Sequence, residues 1–191
     1  MTARVLGALF AVAVIAFPGA ASRAAEYRID PAHSVVQFKI SHLGFSWMVG
    51  VFDRISGSFT FDPAAGPAGQ NVSVEIETAS IDTGHAERDK HLRSRGFLNV
   101  RKFPNANFVS TGYEGGAEAG TMKGNLTLMG VTRPIAIAVK KVGEGDDPWG
   151  GYRAGFEGTV TLNRRDFAAG RRLGPASETM EFFLSIEGIR N

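Results

Sequence analysis

The sequence contains no cysteine among its 191 residues. Disulfides, thiolate-ligated metal sites and lipid attachment at an amino-terminal cysteine are therefore excluded. Long apolar runs are also scarce. The only one extends from Val5 to Phe17, and its 13 residues are fewer than the roughly 20 that a helix needs to cross a bilayer.

The first 25 residues have the layout of a secretory signal peptide. Arg4 precedes the apolar run, and a proline, a glycine and several small residues follow it. We expect cleavage between Ala21 and Ala25, which would release residues 26–191 as one exported domain without a stable membrane span. Without residues 1–25 the chain has 19 basic and 19 acidic residues, so nucleic acid is a poor candidate partner.

From residue 34 onward, apolar and polar residues alternate in long runs. In SVVQFKISH, Val36, Phe38 and Ile40 share one face of an extended chain, and Gln37 and Lys39 share the other. Turn sequences such as GEGDDPWGG separate about eight such segments. The pattern predicts an all-β sandwich or barrel. An antiparallel barrel of about eight strands would enclose room for one small ligand.

Four glycines lie on the predicted inward faces of their strands, where a filled core would favour branched side chains. Their missing side chains either leave room for a ligand or only permit the bends that barrel closure needs. Both interpretations can hold at once. These glycines are Gly57, Gly124, Gly158 and Gly188.

The segment SIDTGHAERDKHLRSRGF, Ser80–Phe97, is the only one between strands with a helical pattern. We predict a short helical insertion around residues 83–95, with Asp82 or Thr83 as its N-cap. Its few apolar residues face inward and most of the others are charged, so it is expected to form a lid over one end of the barrel.

Histidines and acids in this segment suggest two chemical alternatives. His85 and His91 are six positions apart and lie on different faces of a helix, whereas His85 and Asp89 have a suitable spacing but supply only two ligands. Ser94, His91 and Asp89 have the residue types of a nucleophilic triad, without a strained nucleophile turn or an evident oxyanion site. We predict no metal site, no cofactor and no catalytic residue.

The inward faces also define a candidate ligand-binding surface. His42 continues one of these faces, either as a satisfied rim residue or as a polar contact for a ligand head group. The loop NRRDFAAGRRLGP is either solvated or supplies guanidinium groups to a phosphate or carboxylate. The predicted lining residues are Phe38, Ile40, His42, Phe59, Phe61, Val74, Ile76, Leu92, Phe97, Leu126, Leu128, Phe156, Val160, Phe182 and Leu184. The head-group candidates are Arg164, Arg165, Arg171 and Arg172.

Three blocks of sequence resemble the YceI-like family of exported polyisoprenoid-binding proteins. They are YRIDPAHSVVQFKISHLGFSWMVGVFDRISGSFTFD, ASIDTGHAERDKHLRSRGFLNVRKFPNANFVST and MKGNLTLMGVTRPIAIAV, in that order. The resemblance implies an antiparallel lipocalin-like barrel with a helical insertion, located in the periplasm. It also implies a bound isoprenoid lipid, such as a polyprenyl diphosphate or a quinone with a long tail.

Three classes of function follow from these observations. We favour a carrier or sequestering protein for a long-chain isoprenoid lipid, because burial of an apolar tail requires no catalytic machinery. The alternatives are an enzyme acting on such a lipid and a stress-related interaction protein with a solid barrel. The sequence leaves the identity of the lipid open, and also whether the chain forms a homodimer.

Overall fold

A computed structural model describes residues 24–64, 70–167 and 173–191 of the chain. The proposed signal peptide falls almost wholly outside this part. One α-helix, α1, spans Ala86–Arg93, and short 3-10 turns span Thr78–Ser80, Arg164–Phe167 and Pro175–Ser177. The strands are β1 Ala25–Ile29, β2 Val35–His42, β3 Ser46–Phe52, β4 Ile55–Phe61, β5 Val72–Glu77, β6 Ile81–Asp82, β7 Asn105–Gly115, β8 Ala119–Leu128, β9 Val131–Asp146, β10 Tyr152–Asn163 and β11 Thr179–Arg190.

The strands form one antiparallel sheet that closes on itself. Strands β4, β5, β7, β8, β9, β10 and β11 pair in this order, and β1 pairs with both β4 and β11. The closed ring therefore contains eight strands, which confirms the predicted barrel. The sequence pattern missed β1, β3 and the two-residue β6.

Strands β1 and β2 lie end to end along the same edge of β11. Ile29 of β1 is opposite Gly188, and Val35 of β2 is opposite Ser185. Beyond this break β2 pairs with β3, and β3 pairs with β6. The sheet thus forks, and β2, β3 and β6 extend one end of the barrel next to α1.

The buried core lies inside the barrel and has two parts. One surrounds Tyr27 and Phe59, whose rings stack with a centroid separation of 5.0 Å, together with Phe61 and Ala154. The other surrounds Phe108 and consists otherwise of Tyr113, Met122, Leu126, Ile137 and Phe167. Within the described ranges, no helix has the length and apolar character of a membrane span.

A charged network on the outer wall joins β1, β10 and β11. Arg153 donates from Nη1 to Asp30 Oδ2 at 2.6 Å and to Glu187 Oε1 at 2.5 Å, and from Nε to Asp147 Oδ2 at 2.8 Å. His33 Nδ1 lies 2.9 Å from Asp30 Oδ2. The hydrogen bond from Arg153, followed by that with His33, holds the pKa of Asp30 well below its ordinary value.

Replacing Arg153 with methionine tests the contribution of this network. We expect Arg153→Met to lower the free energy of unfolding at neutral pH by about 2 kcal/mol, because it leaves half-buried carboxylates without their donor. Since the pKa of Asp30 is lower in the folded than in the unfolded chain, its contribution is complete at neutral pH. That contribution declines as the pH falls below about 4, the unfolded value, toward the depressed pKa.

Urea denaturation at pH 7 and pH 3 measures this effect. The gap between wild type and Arg153→Met should narrow at pH 3. The matched control is Arg133→Met, because Arg133 is exposed and donates to the adjacent Thr132 carbonyl. It should change the stability by less than about 0.5 kcal/mol. An equal loss for Arg153→Met at both pH values would contradict the assigned ionic role.

Candidate functional site: an apolar cavity inside the barrel

A cavity of about 540 Å³ runs through the barrel. Its walls are the inward faces of the strands, and one end is covered by the segment that contains α1. Every residue predicted to line a cavity lies around it, from Phe38 in β2 to Leu184 in β11. Their role in binding a ligand stays a prediction.

Several apolar residues outside the predicted set also line the cavity. Val36, Met122, Ile137 and Ile186 also line the cavity and lie on the inward faces that the alternation identified. Phe52 was missed because its strand, β3, was not recognised. The alternation of apolar and polar residues within each strand therefore identifies most of the apolar residues that line the cavity.

Polar residues in the lining were harder to predict. Thr60 and Gln70 lie toward one end, and Arg88 and His91 come from α1 at the other. Threonine, glutamine and arginine are mostly exposed in proteins, so their type does not suggest an interior position. Only the closed structure shows that these four border the cavity.

The two ends of the cavity differ in composition. The lid end lies where β8 and β10 finish and β11 begins, and it contains α1. The aromatic end contains Phe59, Phe61 and Phe156, and the ring of Phe156 lies edge-on to the other two at 5.5 and 5.1 Å.

The inward glycines only partly create the empty space. Gly158 lines the cavity, but the space beside Gly124 is filled by the ring of Phe108. A Cβ on Gly188 would lie 2.5 Å from the ring of Phe59. Gly57 has a φ of 141°, and a Cβ there would strike the backbone of the neighbouring strand. The interpretation as empty space is therefore wrong for these three glycines. Gly158 borders the cavity, but a Cβ there would also lie against Ile137 and Leu184.

Alanine substitutions compare Gly124, which is covered by a phenylalanine ring, with Gly158, which borders the cavity. We expect Gly124→Ala to destabilise the protein by about 1–3 kcal/mol, because the new methyl group overlaps Phe108 and the Val109 carbonyl. At Gly158 the nearest atoms are the ends of Ile137 and Leu184, at 3.1 and 3.2 Å. These side chains can move toward the cavity, so Gly158→Ala should cost less than about 1 kcal/mol.

Thermal or urea unfolding of the ligand-free variants measures the difference. Equal destabilisation at the two positions would show that the barrel is packed as tightly around Gly158 as around Gly124.

Helix α1 is shorter than predicted, with eight residues from Ala86 to Arg93. Its N-cap is His85, whose Nδ1 accepts a hydrogen bond from the Arg88 amide at 3.3 Å. Asp82 is not the cap, because its carboxylate accepts from the Gly84 amide at 2.7 Å and so forms a turn before the helix. Thr83 is not the cap either, since its hydroxyl is bonded to Asp89.

The same helix covers the lid end of the cavity. Arg88, His91 and Leu92 from α1 line the cavity, as do Phe97 and Leu98 just after it. His91 is exposed on its other side and packs edge-on against Phe97 with a centroid separation of 4.6 Å. Side chains that are exposed and also line the cavity mark the place where it reaches the protein surface.

The β2–β3 turn adjoins this opening. His42, at the end of β2, is exposed and lines the cavity. Leu43, Phe45 and Trp47 follow it and are exposed, Phe45 by 87%. A ligand that enters at the lid end therefore meets apolar side chains before it reaches the interior.

The candidate triad residues of this segment are not connected as a triad. Asp89 is buried, and its Oδ1 accepts from the Thr83 amide at 3.0 Å and the Thr83 hydroxyl at 2.5 Å. His91 contacts Phe97, and the Ser94 amide donates to the His91 carbonyl at the helix end. No hydrogen bond between the side chains of Ser94, His91 and Asp89 occurs in the described part of the chain.

Potential metal ligands converge elsewhere. In the described ranges, the group of three that lies close enough together is Asp30, His33 and Glu187 on the outer wall. Arg153 binds both carboxylates of this group. Its positive charge opposes the binding of a cation at the same place.

The arginines predicted to contact a head group have different surroundings. Arg164 is buried and lines the cavity, but its Nε donates to the Ser177 carbonyl at 2.6 Å and its Nη2 to the Gly174 carbonyl at 3.1 Å. Burial lowers the pKa of Arg164. Arg165 is ion-paired with Glu178. Arg171 and Arg172 lie outside the described residues, and the head-group role of all four arginines stays a prediction.

The fold and the cavity together define a class of protein, the lipocalin-like antiparallel β-barrels. A YceI-like domain profile matches residues 27–187, and the chain therefore belongs to the YceI-like family. It is 57% identical over 175 residues to a UPF0312 protein of Ectopseudomonas mendocina, which covers 90% of this chain and 91% of that protein.

Solved structures of similar fold agree with this assignment. A crystal structure of a Campylobacter jejuni YceI protein is 29% identical, with a TM-score of 0.71 over 80% of this chain and 91% of that chain. A polyisoprenoid binding domain from Saccharophagus degradans has a TM-score of 0.65 at 16% identity, over 88% of this chain and 100% of that chain. At this identity the second likeness shows the fold alone.

Proposed function

We propose that this protein binds a long-chain isoprenoid lipid inside the barrel and sequesters or carries it in the periplasm. The observation that carries the proposal is the apolar cavity of about 540 Å³ that runs from the aromatic end to an opening beside α1. Its size falls in the range of small-molecule sites in proteins. The export signal inferred in residues 1–25 supports the periplasmic location.

The energetics favour a long apolar ligand. An isoprenoid tail in water is costly to hydrate, and transfer to an apolar interior contributes roughly 0.8 kcal/mol for each buried CH₂ group. The walls consist mainly of phenylalanine, leucine, isoleucine and valine side chains. Such side chains bury an apolar tail and make no directional contacts with it, so they can accommodate a flexible tail in several conformations.

Family membership supports the same class of ligand. The Saccharophagus degradans domain of similar fold is a polyisoprenoid binding domain, and we extend that ligand class to this chain. Binding rather than catalysis is favoured because the acid and base candidates near the lid end are engaged in structural contacts. Asp89 binds Thr83, and His85 caps α1.

A leucine at Gly158 tests the cavity as the binding site. Its side chain would occupy the interior and displace ligand methylene groups worth about 0.8 kcal/mol each, so we expect affinity to fall at least about tenfold. The matched control is Gly155→Leu in the same strand. Gly155 lies on the outer face, and a Cβ added there would meet no atom of another strand closer than 3.9 Å.

The measurement is lipid retained per mole of protein after purification, together with the unfolding temperature. Gly158→Leu should stay folded and retain much less lipid, with a loss of stability of about 1–3 kcal/mol because the leucine presses on Ile137 and Leu184. Gly155→Leu should match the wild type in both measurements. Unchanged lipid content in Gly158→Leu would place the ligand outside the barrel and overturn the proposal.

A further inference from the structure

One polar side chain in the cavity wall has an unused hydrogen-bonding group. Gln70 is 8% exposed and lines the cavity, and its Nε2 has no hydrogen-bond partner among the described residues. A buried amide without a partner costs free energy, and buried polar groups are nearly always paired in folded proteins. Because Gln70 lines the cavity, a rotation of its side chain would let this orphan donor reach a bound molecule.

Backbone pairing fixes the position of this donor. Phe59 lies opposite Val72, and the Thr60 amide donates to the Asn71 carbonyl, so Gln70 is at the level of Phe61. The Thr60 hydroxyl accepts from the Asn71 amide at 2.9 Å and is not a hydrogen-bond partner of Gln70 Nε2. The free N–H groups of Gln70 thus lie at the aromatic end.

The aromatic end is suited to a flat ligand group. The Phe156 ring is inclined at 84° to the Phe59 ring and at 74° to the Phe61 ring, and all three line the cavity. Aromatic faces and edges arranged in this way favour contact with another planar, conjugated group.

The two ends of the cavity differ in the charge of the side chains that line them. The cationic lining residues Arg88 and Arg164 and the histidines His42 and His91 all lie at the lid end. Near the aromatic end, Lys141 lies 5.8 Å from the Phe61 ring centroid, but Glu118 and Glu144 bind its ammonium group.

The carboxylate of Glu157, the residue after Phe156, lies on the outer face of β10. It is 3.5 Å from the Lys140 ammonium group, and both side chains are exposed. The aromatic end therefore offers a neutral donor and no free cation within the described lining, which disfavours a phosphate there and favours an uncharged oxygen acceptor.

We propose that Gln70 donates from Nε2 to a carbonyl oxygen on the uncharged, planar head group of the bound lipid. This inference rests on the proposed function and assigns the ligand an orientation. The head group lies beside Gln70 and against the phenylalanine rings at the aromatic end, and the tail extends toward the lid end. A quinone ring has the required chemistry, with flat shape, no charge and carbonyl acceptors.

The experiment compares decylubiquinone with decylbenzene, which share a ten-carbon tail. Of the two, only the quinone ring carries carbonyl groups, together with two methoxy groups and a methyl group. Binding is measured by displacement of an apolar fluorescent dye from the full mature protein. Gln70→Met keeps the unbranched shape and removes the donor, and Gln37→Met makes the same change on the outer face of β2. We expect Gln70→Met to weaken decylubiquinone binding about tenfold, the effect of one neutral hydrogen bond, with little change for decylbenzene.

A second readout separates a ligand contact from a structural role. The ligand-free Gln70→Met protein should be as stable as the wild type or more stable, because the substitution removes an unsatisfied buried amide. Wild-type affinity of Gln70→Met for decylubiquinone, or equal losses for both ligands, would overturn the assignment and leave the proposed lipid binding intact. Failure of the wild type to bind either ligand would overturn both.

Discussion

Closure of the barrel depends on β1, the shortest strand of the ring. Its five residues pair with β4 on one side and β11 on the other. Without β1 these two strands would expose unpaired edges, which are prone to association with other chains. Tyr27 and Ile29 are each only 1% exposed, so the strand is held by apolar packing as well as by backbone pairing. Arg153 then fixes Asp30, the residue after β1, to β10 and β11.

The interior that this closure creates is filled in some places and empty in others. Phenylalanine rings lie over glycines of other strands, Phe108 of β7 over Gly124 of β8 and Phe59 of β4 over Gly188 of β11, and fill the space beside them. At Gly158 the aliphatic side chains of Ile137 and Leu184 lie against the glycine instead of a ring, and the glycine borders the cavity. The position of the cavity therefore depends on where the aromatic rings lie. The number of inward glycines alone does not predict it.

Alternation predicted the barrel well because one face of most strands is buried. It failed for β3, where exposed Trp47 and Val49 make the strand apolar on both faces and hide the period. The sequence could not show that Phe108 covers Gly124, because that contact is set by the register between two strands.

Polar parts of the site were predicted less well than its apolar walls. Gln70 follows a glycine- and proline-rich stretch of sequence, and nothing in its local sequence indicates burial. Arg164 and Arg165 are adjacent in sequence, yet one is buried against backbone carbonyls and the other forms an ion pair with Glu178. Such differences arise from tertiary contacts and leave no periodic signal.

The central claim is that the barrel encloses an isoprenoid lipid. The most direct test is mass spectrometry of an organic extract of the wild-type protein, purified without detergent from the envelope of the cell that produces it naturally. The account predicts one isoprenoid species with an uncharged carbonyl-bearing ring, in an amount close to one per protein molecule. An extract with no isoprenoid, or with only the phospholipids of the surrounding membrane, would contradict it.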